Sequence, residues 1–196
     1  MKGPLFGAVT ALVALPGLAA AQEATLDEVI ATLDRTLSVT EPQTVEEIPV
    51  QSLTFAAVPT GAGCDITYSM VFDAGDPPSS GTIDISTAAL DAADMEVEPS
   101  RAGGNGVLSI HTRPEADGAA IALLMTPENE IYAGMRGAIE AGQIDGACTE
   151  ESCTMTGTED TLSMPIAPNA DPADVAAVLD TFGALITLCA TAPAAG

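Results

Sequence analysis

Cys64-Asp65-Ile66-Thr67-Tyr68-Ser69-Met70-Val71-Phe72 alternates apolar with polar side chains. A period of two belongs to a strand, because successive side chains leave opposite faces of the backbone. Cys64, Ile66, Tyr68, Met70 and Phe72 share one face, against Asp65, Thr67, Ser69 and Asp73 on the other, and only Val71 breaks the polar side. A strand with one wet face belongs in an antiparallel sheet, since parallel sheets are covered on both sides. Leu53, Phe55 and Ala57 alternate in the same way just upstream.

Downstream, Asp73 to Gly81 is a turn by composition, with Pro77, Pro78 and Gly75 among its residues. Shorter apolar runs follow at Ile83/Ile85, Met95/Val97, Leu108/Ile110, Ile121/Leu123/Met125 and Leu162/Met164/Ile166, most of them separated by Gly, Pro, Asn or Asp. Such spacing predicts further antiparallel strands. Gly103-Gly104-Asn105-Gly106 lacks the Lys-Ser/Thr ending of a phosphate loop and reads as the turn into a strand over Val107–Thr112. Ile131 to Ala141 suits neither period well, and Gly134 and Gly137 weaken a helix there.

Helical spacing frames the strands. Leu26, Val29, Ile30, Leu33 and Leu37 form a stripe, with Thr25 and Glu28 placed for a capping box and Pro42 beyond the end. Near the C-terminus, Asn169-Ala170-Asp171-Pro172 is a helix-start signal for 172–190, where Val175, Val178, Leu179, Phe182, Ile186 and Cys189 share one face. The chain therefore predicts one α+β domain, residues 22–196: a mainly antiparallel sheet with an amphipathic helix at each end.

Residues 1–21 stand apart. Lys2, the apolar run Leu5 to Leu18 and the small residues Ala19-Ala20-Ala21 follow the pattern of a cleavable signal peptide, with the cut expected before Gln22. No later segment reaches the roughly 20 apolar residues of a membrane-spanning helix. The chain thus reads as a bacterial protein delivered to the periplasm or secreted. All four cysteines lie beyond the cut, where an oxidising compartment allows disulfides. Four cysteines permit three pairings. The short spacing of Cys148 and Cys153 within a polar segment favours a local closure, which leaves Cys64 to pair with Cys189. Zinc is disfavoured by a single histidine and the lack of a Cys-x-x-Cys pair.

The charge is one-sided. Lys2 is the only lysine, so Arg35, Arg101, Arg113 and Arg136 remain against 28 acidic residues, and four minus 28 gives −24 once the signal is removed. Such a surface repels phosphate backbones and anionic lipid, so neither is an expected partner. It suits a solvated exterior or a cationic partner.

Few residues offer chemistry. His111 is the only histidine, and alternation places it with Ser109 and Arg113 on the polar face, opposite Leu108 and Ile110, toward solvent. No Gly-x-Ser-x-Gly elbow accompanies it. Asp94, Glu96 and Glu98 recur at i, i+2, i+4, and with Asp91 they would suit a hard cation such as calcium, though not as an EF-hand. The methionines fall mostly on apolar faces and read as core filling.

The stretch Leu123-Leu124-Met125-Thr126-Pro127, then Ile131-Tyr132-Ala133-Gly134, Asp145-Gly146 and Cys148-x4-Cys153, resembles the invasion-associated locus B family. Its members are secreted, β-rich proteins of alphaproteobacteria with a Pro…Leu-x-x-Gly segment ahead of a close cysteine pair. The resemblance implies export and a β-rich fold, and it carries over no catalytic residue. It is confined to that stretch. The chain has no Trp, has Cys64 alone where an early cysteine pair belongs, and carries an additional Cys189.

Together these features point to an exported acidic protein that acts by binding a protein or a small ligand, or through envelope interactions, without catalysis or cofactor. The alternatives are an exported hydrolase using His111 with nearby carboxylates, and a calcium-dependent module built on Asp91, Asp94, Glu96 and Glu98. The charge also has a consequence for stability. Self-repulsion opposes the compact state, and salt shortens its reach to a Debye length of about 10 Å at 0.1 M. The melting temperature of residues 22–196 should therefore rise from very low to moderate NaCl; a flat profile would mean that the acids are already compensated.

Overall fold

A computed structural model describes residues 24–73, 78–100, 104–127 and 132–195, and the predicted signal peptide lies outside them. Helix α1, Leu26–Leu37, starts as its sequence requires. The Thr25 hydroxyl accepts from the Glu28 N–H, and the Glu28 carboxylate accepts from the Thr25 N–H at 2.8 Å. Those Thr25 donors hold the Glu28 carboxyl below the usual range. Val29, Leu33 and Leu37 are buried on the predicted stripe.

Strands β1 (Gln43–Val45) and β2 (Ile48–Pro59) are joined by Glu46 and Glu47, both at positive φ (49° and 70°). A two-residue hairpin turn requires that conformation, and it normally uses Asn or Gly. The alternating stretch is β3, Cys64–Phe72, which pairs antiparallel with β2. Cys64, Ile66 and Tyr68 are fully enclosed. Strand β4, Ser79–Ser86, reclaims Ser79, Ser80 and Gly81 from the predicted turn.

A 3-10 turn, Thr87–Ala89, leads into β5, Leu90–Glu98, and then come β6 (Val107–Thr112) and β7 (Ala119–Met125). The ambiguous segment is helix α2, Tyr132–Glu140. It buries Tyr132 and Met135, while added Cβ atoms at Gly134 and Gly137 would meet open space, so both glycines face outward. Strands β8 (Gly146–Cys148) and β9 (Cys153–Glu159) form a hairpin with Cys148 opposite Cys153, and β10 is Thr161–Pro165.

The architecture is α+β and mainly antiparallel, as the sequence predicts, but its strands fall into two sheets. Seven run in the order β1-β2-β3-β4-β7-β9-β8 and three in the order β10-β6-β5. The chain crosses between sheets at a corner where only Asp160 separates β9 from β10. Asp160 anchors the corner: its carbonyl accepts from the Thr112 N–H at 2.8 Å. Alternation tells which face a residue occupies and not which strand it pairs with, so the division is invisible to it.

The predicted terminal helix is two. Helix α3, Pro172–Ala176, is capped by Asp171, and α4, Val178–Cys189, starts anew after Ala177 leaves helical geometry. The break keeps Asp174 at the surface, 3.1 Å from Arg35, while Val178 enters the core. Helix α4 packs against α1 and β5, and Phe182 meets Phe55 edge to face at 6.3 Å between ring centres. One core joins α1, α4, the β2–β4 face and the inner residues Leu108, Ile110, Leu162 and Met164 of the smaller sheet. A satellite core of Met125, Tyr132, Met135 and Cys153 lies under α2.

The cysteines pair as Cys64–Cys189 and Cys148–Cys153, 125 and 5 residues apart. In the chain-entropy model the long closure is worth about 5 kcal/mol and the short one about 2. Cys189→Ser should therefore lower the denaturation midpoint much more than Cys148→Ser/Cys153→Ser; equal midpoints would refute that ranking.

Alkaline stability should rest on Tyr68. Its hydroxyl donates to the Leu37 carbonyl at 3.3 Å, and burial pushes its ionisation well above the usual range. The unfolded chain releases this proton first, near pH 10, so the contribution is complete below that pH and fades above it by about 1.4 kcal/mol per unit. Lys2, the only lysine, lies in the predicted signal peptide, so no lysine ionises alongside Tyr68 in residues 22–196. Tyr68→Phe should flatten the decline in stability measured above pH 10.

Candidate functional site

Along β3 the inward face changes character. Cys64, Ile66 and Tyr68 are sealed, yet Met70 and Phe72 on the same face are only half-buried. The neighbouring strands repeat this. In β4, Ile85 is buried and Ile83 is not; in β7, Ala119 and Met125 are buried, while Ile121 and Leu123 between them are half-exposed. Met155 of β9, opposite Leu123, completes the patch.

These half-buried side chains line a cleft of about 370 Å³. Its second wall is β10, which contributes Thr161 and Ser163, the residues that alternate with core-facing Leu162 and Met164. Glu159 stands at the mouth. Gly81 opens the floor, because a Cβ there would lie 3.3 Å from Leu123 Cδ1 and 3.4 Å from Met70 Cε. Ligand sites are typically apolar concavities of roughly 300–1,000 Å³ with a few polar groups at fixed points, and the cleft has that character. A larger depression, about 750 Å³ beside Asp34, Arg35, Asn169 and Asp174, is lined by surface polar groups.

The histidine lies on the face opposite Leu108 and Ile110, as alternation predicts, but that face is not open to solvent. His111 is half-buried, its Nδ1 3.0 Å from Thr161 Oγ1, and its hydrogen-bond partner is that hydroxyl rather than a carboxylate. Ser109, expected beside it in solvent, is 2% exposed and donates to Glu98 Oε1 at 3.1 Å. Arg113 lies past the strand end, its Nε donating to the Leu90 carbonyl at 3.0 Å. Glu98 of β5 and Thr161 of β10, the strands on either side of β6, engage its polar face, which a single strand's pattern does not reveal. A hydrolase centre needs a base held by an orienting group, and among the described residues no carboxylate hydrogen-bonds His111.

The calcium arrangement is not formed either. A register irregularity between Leu90 and Met95 interrupts the regular pairing of β5. Asp91 caps its own turn by accepting from the Ala93 N–H at 3.0 Å, and Glu98 is engaged with Ser109. Among the described residues no group of three His, Cys, Asp or Glu side chains gathers to hold a metal ion.

Met70 and Phe72 share the apolar face of β3 with its sealed residues, and Ile83, Ile121 and Leu123 stand in apolar runs, so residue spacing alone does not separate the cleft lining from the core. No family model, curated protein or solved structure matches the chain.

Proposed function

We propose that the chain is an exported, non-catalytic binding protein of the bacterial periplasm or exterior, and that it holds a small apolar ligand in the cleft between its two sheets. The observation that carries this reading is the half-burial of Met70, Phe72, Ile83, Ile121, Leu123 and Met155 on a face that is otherwise core. Apolar surface left in water at the centre of a sheet face is costly, and a ligand that covers it recovers the hydrophobic gain.

Export is supported by the Lys2, Leu5–Leu18 and Ala19-Ala20-Ala21 pattern and by two disulfides that need an oxidising compartment. No helix among the described residues is long and apolar enough to cross a membrane. The resemblance of Leu123–Cys153 to the invasion-associated locus B family agrees with a secreted, β-rich protein.

Residues 22–196 with both disulfides intact should bind the uncharged fluorophore N-phenylnaphthylamine saturably at one site. Gly81→Leu should fill the floor and Ser163→Phe the opposite wall, and each should weaken binding by about tenfold or more, since well-buried apolar contacts of this size are worth at least one decade in affinity. Unchanged binding in both variants, with unaltered melting curves, would remove the cleft from the reading. Failure of the parent protein to bind would do the same.

A further inference from the structure

Strand β9 places Cys153, Met155, Gly157 and Glu159 on one face. The first is sealed in the satellite core and the second lines the cleft, so the series sets a carboxylate where alternation calls for an apolar side chain. Its cross-strand neighbour is Ala119, which is 0% exposed. Glu159 is therefore a charge at the end of an apolar track, exposed at the mouth of the cleft and without an ion-pair partner among the described residues.

The arginines lie elsewhere, and His111 reaches the cleft only through its hydrogen bond to the Thr161 hydroxyl. Of the described arginines, Arg35 pairs with Asp174, Arg136 with Glu140, and Arg113 bonds to a backbone carbonyl; none lines the cleft. An anionic head would meet Glu159 and a whole-chain net charge of −23 with no basic side chain among the lining residues to receive it. From the apolar walls, the carboxylate at the mouth and the absence of a basic group among the lining residues, we infer that the ligand is a single-chain amphiphile with a cationic head. Its apolar body lies against Met70, Ile121, Leu123 and Met155, its head meets Glu159, and Thr161 and Ser163 of β10 form the other wall. This rests on the proposed binding function and specifies its ligand class.

The test displaces N-phenylnaphthylamine from the disulfide-intact protein with three amphiphiles of equal chain length, each below its micelle concentration, with circular dichroism confirming the fold. They are dodecyltrimethylammonium, dodecyl sulfate and an uncharged dodecyl oligoethylene glycol. At low ionic strength the trimethylammonium compound should displace the probe at about one-tenth or less of the concentration the sulfate needs, with the uncharged chain between them, and about 0.5 M NaCl should shrink the gap. Glu159→Gln should bring the two charged compounds to within about threefold of each other and leave the uncharged one unchanged, which separates the carboxylate from the diffuse field of the whole protein. Equal potency of the cationic and anionic chains in the parent protein would overturn the inference, as would a preference that survives Glu159→Gln. If the uncharged chain displaces the probe in either case, the binding reading stands; if the probe itself does not bind, that reading falls as well.

Discussion

The bond between Cys64 and Cys189 ties the first residue of the central alternating strand to the last residue of the terminal helix. Much of the main core depends on where that helix lies. Helix α4 packs against α1 on one side and β5 on the other, and it brings Val178, Phe182 and Leu185 into the same interior as Leu33, Phe55 and Tyr68. The core has little aromatic mass to hold it, with four Phe, two Tyr and no Trp in the whole chain. Around it lies an acidic surface whose self-repulsion favours expansion. A crosslink that spans 125 residues restrains the unfolded chain strongly and opposes that expansion without adding bulk to the interior.

The second disulfide does the corresponding work for the smaller core. Cys148 and Cys153 face each other in a short hairpin, and Cys153 packs with Met125, Tyr132 and Met135 beneath α2. The cleft is the seam between these two cores. Met70, Phe72 and Ile83 border the larger one, and Leu123 and Met155 border the smaller. Had the face been filled without interruption, the two clusters would be one.

Much of this was legible in the chain. The β3 alternation, the Thr25–Glu28 cap and the Val107–Thr112 strand follow directly from residue spacing. The less visible parts have physical reasons. Hairpin β1–β2 turns on Glu46-Glu47, residues that seldom adopt positive φ, so no Asn-Gly signal marks it. Strand β9 is rich in Thr and includes Gly157, and it lacks the apolar side that makes a strand stand out. Ser109 looks like a solvent residue because its own strand is polar on that side, yet it is buried and bonded to Glu98 on the neighbouring strand, a residue eleven positions away in sequence. The cleft was hidden for the converse reason. Its lining has a core pattern, and whether a core face is covered depends on elements distant in sequence.

One local feature does carry the site in the sequence, and it follows from the requirements of the two ends of β9. A residue on the sheet's inner face is selected for packing where the face is closed, and a carboxylate there without a partner would carry a large desolvation penalty. Glu159 avoids that penalty only because the face opens to water at its position, one residue before the Asp160 corner. The corner thus has two effects. By turning the chain into β10 it raises the wall that carries Thr161 and Ser163, and it ends the apolar face where a charge can remain hydrated. The covalently closed cores on either side hold both walls in place, so a ligand entering the seam would lose its own freedom without having to order the protein, which is how preorganisation raises affinity.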